Sequence, residues 1–118
     1  MEKKISSLKD LSKKISIFKK KGKKVVHCHG VFDILHAGHI KHFNSAKKFG
    51  DILVVSVTQD RFVNKGPNRP IFPVDIRMQC LAALENVDYV CSNSTGNAVK
   101  AIKFLKSYCG NRLNFLNF

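Results

Sequence analysis

The stretch GVFDILHAGH, residues 30–39, follows a short apolar run and precedes a segment of helical periodicity. It carries His36 and His39, three residues apart, with Gly38 between them. This spacing places both histidines on one face of a helix start, where unpaired N–H groups and the helix dipole attract anions. Gly30 allows the backbone to approach a ligand closely, and Gly38 leaves room for a bulky anion. The stretch therefore predicts a phosphate site in which imidazole N–H groups stabilise charge that develops during phosphoryl-type transfer.

Outside this stretch, the apolar patterns predict helices that alternate with strands. We predict helices over 7–21, 36–49, 74–84 and 95–108, and strands over 24–29, 52–57 and 87–91. The first helix has apolar residues every three or four positions, and the largely β-branched run at 52–57 is typical of a strand buried on both faces. This alternation predicts an α/β fold with a parallel sheet, in which ligands bind beyond the carboxyl ends of the strands. The histidine pair lies at that place.

The length of 118 residues suits one domain. We predict that residues 1–23 form an amphipathic helix, packed on or leading into a domain over 24–118. Ten lysines fall within residues 1–24 and contribute to a net charge of +13. Such a basic patch can bind nucleic acid, an acidic membrane or a phosphorylated substrate, but lysines on the polar face of a helix are often simply solvated. We favour the solvated interpretation.

The four cysteines form no CxxC pair and no zinc-like spacing with histidine, so we expect free thiols in a reducing compartment. No apolar run approaches the ~20 residues that a membrane span needs. The basic N-terminus contains acidic residues and lacks the apolar core of a signal peptide. We therefore expect a cytoplasmic protein without a membrane span.

The residues GVFD (30–33) followed by HAGH (36–39) resemble the signature of the cytidylyltransferase-like nucleotidyltransferases. Further similarity lies in FGDILVV (49–55), KGPNRP (65–70), RMQCLAAL (77–84) and VDYV (87–90). Within this superfamily, the chain is similar to the adenylyltransferase domain of ADP-heptose synthase and to glycerol-3-phosphate cytidylyltransferase. The resemblance implies a Rossmann-like parallel sheet with the HxGH nucleotidyltransferase topology. It also implies a reaction, in which an oxygen of a sugar or polyol phosphate attacks the α-phosphorus of ATP or CTP, pyrophosphate leaves, and Mg²⁺ is bound with the triphosphate.

The same resemblance assigns roles to individual residues. His36 and His39 are the implied catalytic contacts to the triphosphate, and replacing either with alanine should lower turnover by about 100-fold or more. Lys65 is the third implied catalytic residue, in a Gly/Pro loop that suits a lid; the alternative is a solvated loop lysine. The implied nucleotide-binding residues are Gly30, Val31, Phe32, Asp33, His36, Gly38, His39 and Arg77.

Several of these residues have a second interpretation. Asp33 is either part of the ligand loop or a turn or capping carboxylate. Arg77 lies near a helix start, where the dipole disfavours a cation unless an anion is close, so its partner is a phosphate, Asp75 or Asp51. His29 stands where the heptose-type enzymes usually have asparagine. It is either a further phosphate donor or, as we favour, a packed histidine at a strand end.

The end of the chain departs from the family pattern, because later strands and a serine- and threonine-containing phosphate motif are missing. Three explanations are open: truncation, a homodimer that covers the open strand edge, or a short fourth strand at 113–118, where apolar and polar residues alternate. We favour truncation, with the last strands missing or incomplete. Two other functions remain as alternatives, a non-catalytic nucleotide-binding remnant and a basic nucleic-acid-binding protein, although interleaved exposed aromatic residues typical of the latter are lacking.

Overall fold

The structure, a computed structural model, describes residues 2–63, 66–67, 69–93 and 113–117. The helices are α1 (Leu8–Lys20), α2 (Ala37–Lys47) and α3 (Val74–Ala82), and short 3-10 turns cover Glu2–Lys4 and Asp60–Phe62. The strands are β1 (Val25–Gly30), β2 (Ile52–Thr58), β3 (Tyr89–Asn93) and β4 (Leu113–Asn117). The helix predicted over 95–108 lies outside the described residues. The other predicted elements are confirmed, with α2 and α3 each ending two residues earlier and β3 starting two residues later than expected.

The ends of α1 follow from its sequence. Ser7 is the N-cap, and its hydroxyl accepts a hydrogen bond from the backbone N–H of Asp10 at 3.1 Å. Gly22 adopts a positive φ of 77° just beyond the last turn, a conformation that favours glycine. Between these ends, Leu11 and Ile15 are fully buried against the sheet, while most of the lysines of the helix are exposed. The N-terminal helix is therefore packed on the sheet.

All strands of the described sheet run parallel, in the order β3-β2-β1-β4. The first strand is thus central, because β2 pairs with one edge and β4 with the other. The short fourth strand, which was one of three open explanations and not the favoured one, is present as β4 and pairs with β1 on the edge opposite β2. Parallel pairing brings the carboxyl ends of β1 and β2 to the same edge, with Gly30 opposite Val57. The loops that follow these two strands are therefore neighbours.

Alternate residues of the strands belong to two apolar layers, one on each face of the sheet. Odd and even positions of a strand face opposite sides of a sheet. One side carries Val26, Cys28, Leu53, Val55 and Val57 against α2 and α3, and the other carries Val25, Val54 and Cys91 against α1. Both faces of the central strands are covered, as their apolar sequences predict.

Three of the four cysteines lie in the described part of the chain, and all three are free thiols. Burial raises the pKa of Cys28 and of Cys91 to about 12, so both thiols stay protonated at neutral pH. No helix within the described ranges is long and apolar enough to cross a membrane.

Candidate functional site

The two histidines of the opening stretch meet at the start of α2. His36 is the N-cap, and His39 lies in the first turn of the helix. Their ring centroids are 4.0 Å apart, so the two imidazoles form a single surface at the carboxyl edge of the sheet. The spacing therefore brings these side chains together as predicted. Whether they bind phosphate stays a prediction.

Two backbone hydrogen bonds determine which imidazole nitrogen can donate. The Nδ1 atom of His36 accepts from the N–H of Gly38 at 3.0 Å, and the Nδ1 atom of His39 accepts from the N–H of His36 at 3.2 Å. Because a neutral imidazole carries its proton on one nitrogen only, each ring must hold that proton on Nε2. The capping arrangement thus makes the Nε2–H group of both rings a donor, which is the form that recognises phosphate oxygens.

The two glycines of the stretch make room for rings. A Cβ atom on Gly38 would lie 2.7 Å from Cε1 of His36, and one on Gly30 would lie 2.8 Å from Cζ of Phe32. Both distances are too short for van der Waals contact. The sequence predicts that these glycines make room for a ligand, whereas in the structure they accommodate the side chains of the site itself.

Phe32 is a buried aromatic residue that packs against His39 of the histidine pair. It is 4% exposed, and its ring packs edge-on against His39 with centroids 5.8 Å apart and against Phe43 of α2 at 5.3 Å. Its φ of 51° lies in the left-handed region, which costs a non-glycine residue about 1–2 kcal/mol. Phe32 is a buried support for the loop, and its contact with a nucleotide stays a prediction.

Asp33 joins the first loop to the segment before α3. Its carboxylate accepts hydrogen bonds from the N–H groups of Ile71 and Phe72 at 2.8 and 2.9 Å. Nε of Arg69 lies 3.0 Å from Oδ2, an ion-pair contact without the alignment of a hydrogen bond. Burial alone would raise the pKa of Asp33, but the two backbone donors and the nearby arginines together lower it. Of the two sequence interpretations, the structure favours a carboxylate that holds a turn.

Arg77 contacts protein groups from a buried position. It is 1% exposed, and its ion-pair partner is Asp60 at 2.6 Å, so the predicted partners Asp75 and Asp51 were wrong. The guanidinium also donates to backbone carbonyl oxygens, those of Val31 and Thr58 at 2.8 Å and that of Phe72 at 2.9 Å. These carbonyls belong to the loop that follows β1, to the last residue of β2 and to the segment before α3. Arg77 is thus a positioning residue for three segments.

Two predicted positions remain, Val31 and Lys65. Val31 is half-buried, and its carbonyl oxygen accepts a hydrogen bond from Arg77, while its role in nucleotide binding stays a prediction. Lys65 lies outside the described residues, so its catalytic role stays a prediction.

His29 is a packed histidine, as the favoured interpretation stated. It is 6% exposed, and its Nδ1 atom lies 2.7 Å from the hydroxyl oxygen of Ser56. The same hydroxyl oxygen lies 2.7 Å from Nε2 of His27, which is fully buried. Burial lowers the pKa of His29 and, together with its neighbour, that of His27 to about 3. Both rings are therefore neutral at pH 7.

These depressed pKa values predict an acid-sensitive fold. In the unfolded chain both histidines regain a pKa near 6.5, so below that pH the unfolded state binds more protons than the folded state. Stability is then fully present above pH 6.5 and falls as the pH drops, by about 1.4 kcal/mol per pH unit for His27 down to its folded pKa of about 3, and His29 adds to the loss in the same direction. Denaturant unfolding at pH 7.0, 6.0 and 5.0 measures this slope. The variant His27→Gln should make the slope shallower, and an unchanged slope would contradict the assignment.

Sequence reasoning missed four polar residues near this edge, namely His27, Ser56, Thr58 and Asp60. Three of them could have been found from the sequence. Ser56 and Thr58 occupy alternate positions of an otherwise apolar strand, as His27 and His29 do in the neighbouring strand. Asp60 could not have been found in this way, since its pairing with Arg77 spans a loop.

Known proteins resemble this chain in sequence and in fold. Residues 27–109 match the model of the family described as cytidylyltransferase-like. The bifunctional protein HldE of Sulfurimonas denitrificans is 40% identical over 104 residues, which cover 86% of this chain and 22% of that protein. HldE of Salmonella arizonae is 46% identical over 85 residues, covering 70% of this chain and 18% of that protein. The chain thus spans about a fifth of the length of these relatives.

A solved structure shares the fold. The lipopolysaccharide core biosynthesis protein from Thermoplasma volcanium superimposes with a TM-score of 0.68 and 28% sequence identity. The match covers 82% of this chain and 97% of that one.

Proposed function

The chain belongs to the cytidylyltransferase-like family, and on that premise we propose that it is a nucleotidyltransferase that acts on a sugar or polyol phosphate. A phosphate oxygen of the acceptor attacks the α-phosphorus of ATP or CTP. The new oxygen–phosphorus bond forms as the bond from the α-phosphorus to the bridging oxygen breaks, and pyrophosphate leaves. The observation that carries the proposal is the pair of imidazoles at the N-terminus of α2, each of which accepts a backbone N–H at Nδ1 and so leaves Nε2 to donate.

The chemistry asked of the protein is positioning and charge stabilisation. Phosphoryl-type transfer spreads negative charge over nonbridging oxygens and needs little covalent help from side chains. His36 and His39 supply two preorganised donors, and the N-terminus of α2 adds its unpaired N–H groups. The first turn of α2 contains no acidic residue that would repel a triphosphate. Arg77 and Asp33 keep the surrounding loops in place without touching the reacting atoms.

Mg²⁺ is proposed to arrive with the nucleotide. Magnesium retains several waters and is usually held by substrate phosphates and one or two carboxylates. The described residues contain no group of three or more His, Cys, Asp or Glu side chains placed to hold a metal ion. When bound, the ion would neutralise charge on the triphosphate.

The acceptor is proposed by similarity. One fold relative is named for lipopolysaccharide core biosynthesis, and the resemblance of the sequence to heptose-type enzymes points the same way. A heptose phosphate is therefore the first acceptor to test, and glycerol 3-phosphate is the second.

A thermal-unfolding scan tests the nucleotide site. With Mg²⁺ present, one of ATP, CTP, GTP and UTP should raise the midpoint, because a ligand that binds only the folded state stabilises it by mass action. At ten times the dissociation constant the gain is about 1.4 kcal/mol, which is several degrees for a domain of this size. The matching nucleoside monophosphate should give a much smaller shift, since it lacks the β- and γ-phosphates.

Exposed lysines on α1 supply a charge control. Replacing Lys9 and Lys13 with glutamine lowers the net charge without touching the histidine pair, so the shift should persist. A shift that disappears in this variant would favour non-specific attraction, and salt-sensitive RNA binding would then favour the nucleic-acid alternative. Binding without pyrophosphate release for either acceptor would favour the non-catalytic remnant.

A further inference from the structure

A chain of polar side chains crosses the α1 side of the sheet between β1 and β2. It begins at His27, passes through the hydroxyl of Ser56 to His29, and continues from Nε2 of His29 to the hydroxyl of Thr58 at 3.3 Å. The Thr58 hydroxyl then reaches the carbonyl oxygen of Gly30 at 3.5 Å. Every one of these five residues is buried. This series of hydrogen bonds thus leads from the middle of the sheet to Gly30, the first residue of the histidine-bearing stretch.

The direction of donation along this chain follows from its last member. A carbonyl oxygen only accepts, so the Thr58 hydroxyl donates to Gly30. Its oxygen then accepts from Nε2–H of His29, which leaves Nδ1 of that ring as the acceptor for Ser56. The Ser56 oxygen in turn accepts from Nε2–H of His27. All hydrogen bonds therefore point one way, towards Gly30, and the order requires His29 to be neutral, because its ring accepts at Nδ1 and donates at Nε2.

Thr58 is held from two sides. On the α1 side its hydroxyl is fixed by His29, and its backbone carbonyl accepts from Nη1 of Arg77 at 2.8 Å. The same Nη1 atom donates to the carbonyl of Val31, the residue that follows Gly30. The carbonyl of Gly30 thus accepts from the Thr58 hydroxyl, and the next carbonyl, that of Val31, accepts from the Arg77 atom that also binds Thr58.

We propose that the Thr58 hydroxyl, oriented by the His27–Ser56–His29 chain, is a positioning group that holds Gly30 and the loop over residues 31–34 in the conformation needed by the histidine pair. The proposal deepens the proposed function and rests on it for the catalytic consequence. Its structural part, that the loop is ordered by this hydroxyl, stands independently. Preorganised donors lose much of their effect when their support loosens, because small displacements misalign the reacting groups.

Three variants test the hydroxyl. Thr58→Val removes it at nearly constant volume, and Thr58→Ser keeps it. Val57→Ala deletes buried methyl groups at the neighbouring position of the same strand, on the opposite face of the sheet, and serves as the control for general destabilisation. We expect kcat to fall about tenfold in Thr58→Val with little change in the acceptor KM, and to stay within about twofold of wild type in the other two variants.

Hydrogen exchange gives a readout that does not need activity. The amides of residues 31–34 should exchange at least about tenfold faster in Thr58→Val than in wild type, at a temperature where all variants are folded. Thr58→Ser should exchange as wild type does, and Val57→Ala should show no increase confined to these amides. His29→Leu, which removes the donor that orients the hydroxyl, should change the same amides in the same direction.

The outcomes separate the two proposals. Faster exchange confined to residues 31–34 in Thr58→Val, together with a wild type that releases no pyrophosphate, supports the positioning role and counts against the enzymatic function. Unchanged exchange in Thr58→Val, or an equal increase in Val57→Ala, overturns the positioning role whatever the activity. Unchanged exchange in His29→Leu overturns the part assigned to the histidine chain.

Discussion

Replacing His36 with asparagine should lower turnover by about 100-fold or more while leaving the fold intact. The side-chain amide of asparagine reaches the position of Nδ1, so it can still accept from the N–H of Gly38 and cap α2. It does not reach the position of Nε2, which holds the donor proposed for the triphosphate. The variant therefore separates the helix cap from the catalytic donor, and alanine would remove both. Thermal unfolding should show a midpoint near that of wild type, and steady-state pyrophosphate release measures the loss.

Glutamine at the same position is the matched control. Its amide reaches the place of Nε2 but is poorly placed to cap the helix, so His36→Gln should be less stable and more active than His36→Asn. His39→Asn should behave as His36→Asn does, because Nδ1 of His39 also accepts a backbone N–H. An asparagine variant with wild-type turnover at either position would refute its catalytic role.

Replacing Arg77 with methionine should cost about 3 kcal/mol or more of unfolding free energy. Methionine fills much of the buried volume but donates no hydrogen bond, so the carbonyl oxygens of Val31, Thr58 and Phe72 lose their shared donor. Each buried carbonyl that is left without a partner costs about 1–3 kcal/mol. Urea unfolding monitored by circular dichroism measures the difference.

The ion pair contributes less to this loss than the carbonyl contacts do. The side chain of Asp60 is 46% exposed, so its charge remains solvated after the arginine is removed. Asp60→Asn should therefore cost no more than about 1 kcal/mol. If Asp60→Asn were as destabilising as Arg77→Met, the ion pair would be the main role of Arg77. If Arg77→Met kept the wild-type stability and lost only nucleotide affinity, the phosphate-binding interpretation of the sequence would be right.

Helices and strands were largely predictable because their signals are local. The cap at Ser7, the glycine at position 22 and the period of the apolar residues define α1 without reference to the rest of the chain. The same holds for the histidine pair, because three-residue spacing at a helix start is enough to bring two rings together. The observed ends of α3 and β3 differ from the predicted ends by two residues, because the residues between these elements form a turn.

Long-range contacts were not predictable in the same way. Near a helix start, Arg77 has the sequence setting of a phosphate-binding residue, but in the fold it contacts four protein acceptors, and three of them lie 17 to 46 residues away. Asp33 was equally ambiguous, because the two amides that it binds lie 38 and 39 residues away. A charged side chain pairs with whatever acceptor or donor the fold brings near it, and spacing along the chain does not encode that.

The sequence by itself determined the α/β class, the order of the elements and the place of the histidine pair at the start of α2. Each depends on interactions within a few residues or on the alternation of apolar positions. Only the tertiary structure decided which residues face a ligand and which hold the loops, because that division depends on burial and on donors and acceptors far apart in sequence. Arg77 and His29 carry chemistry suited to phosphate, but the fold buries both side chains, and there they bind the protein itself.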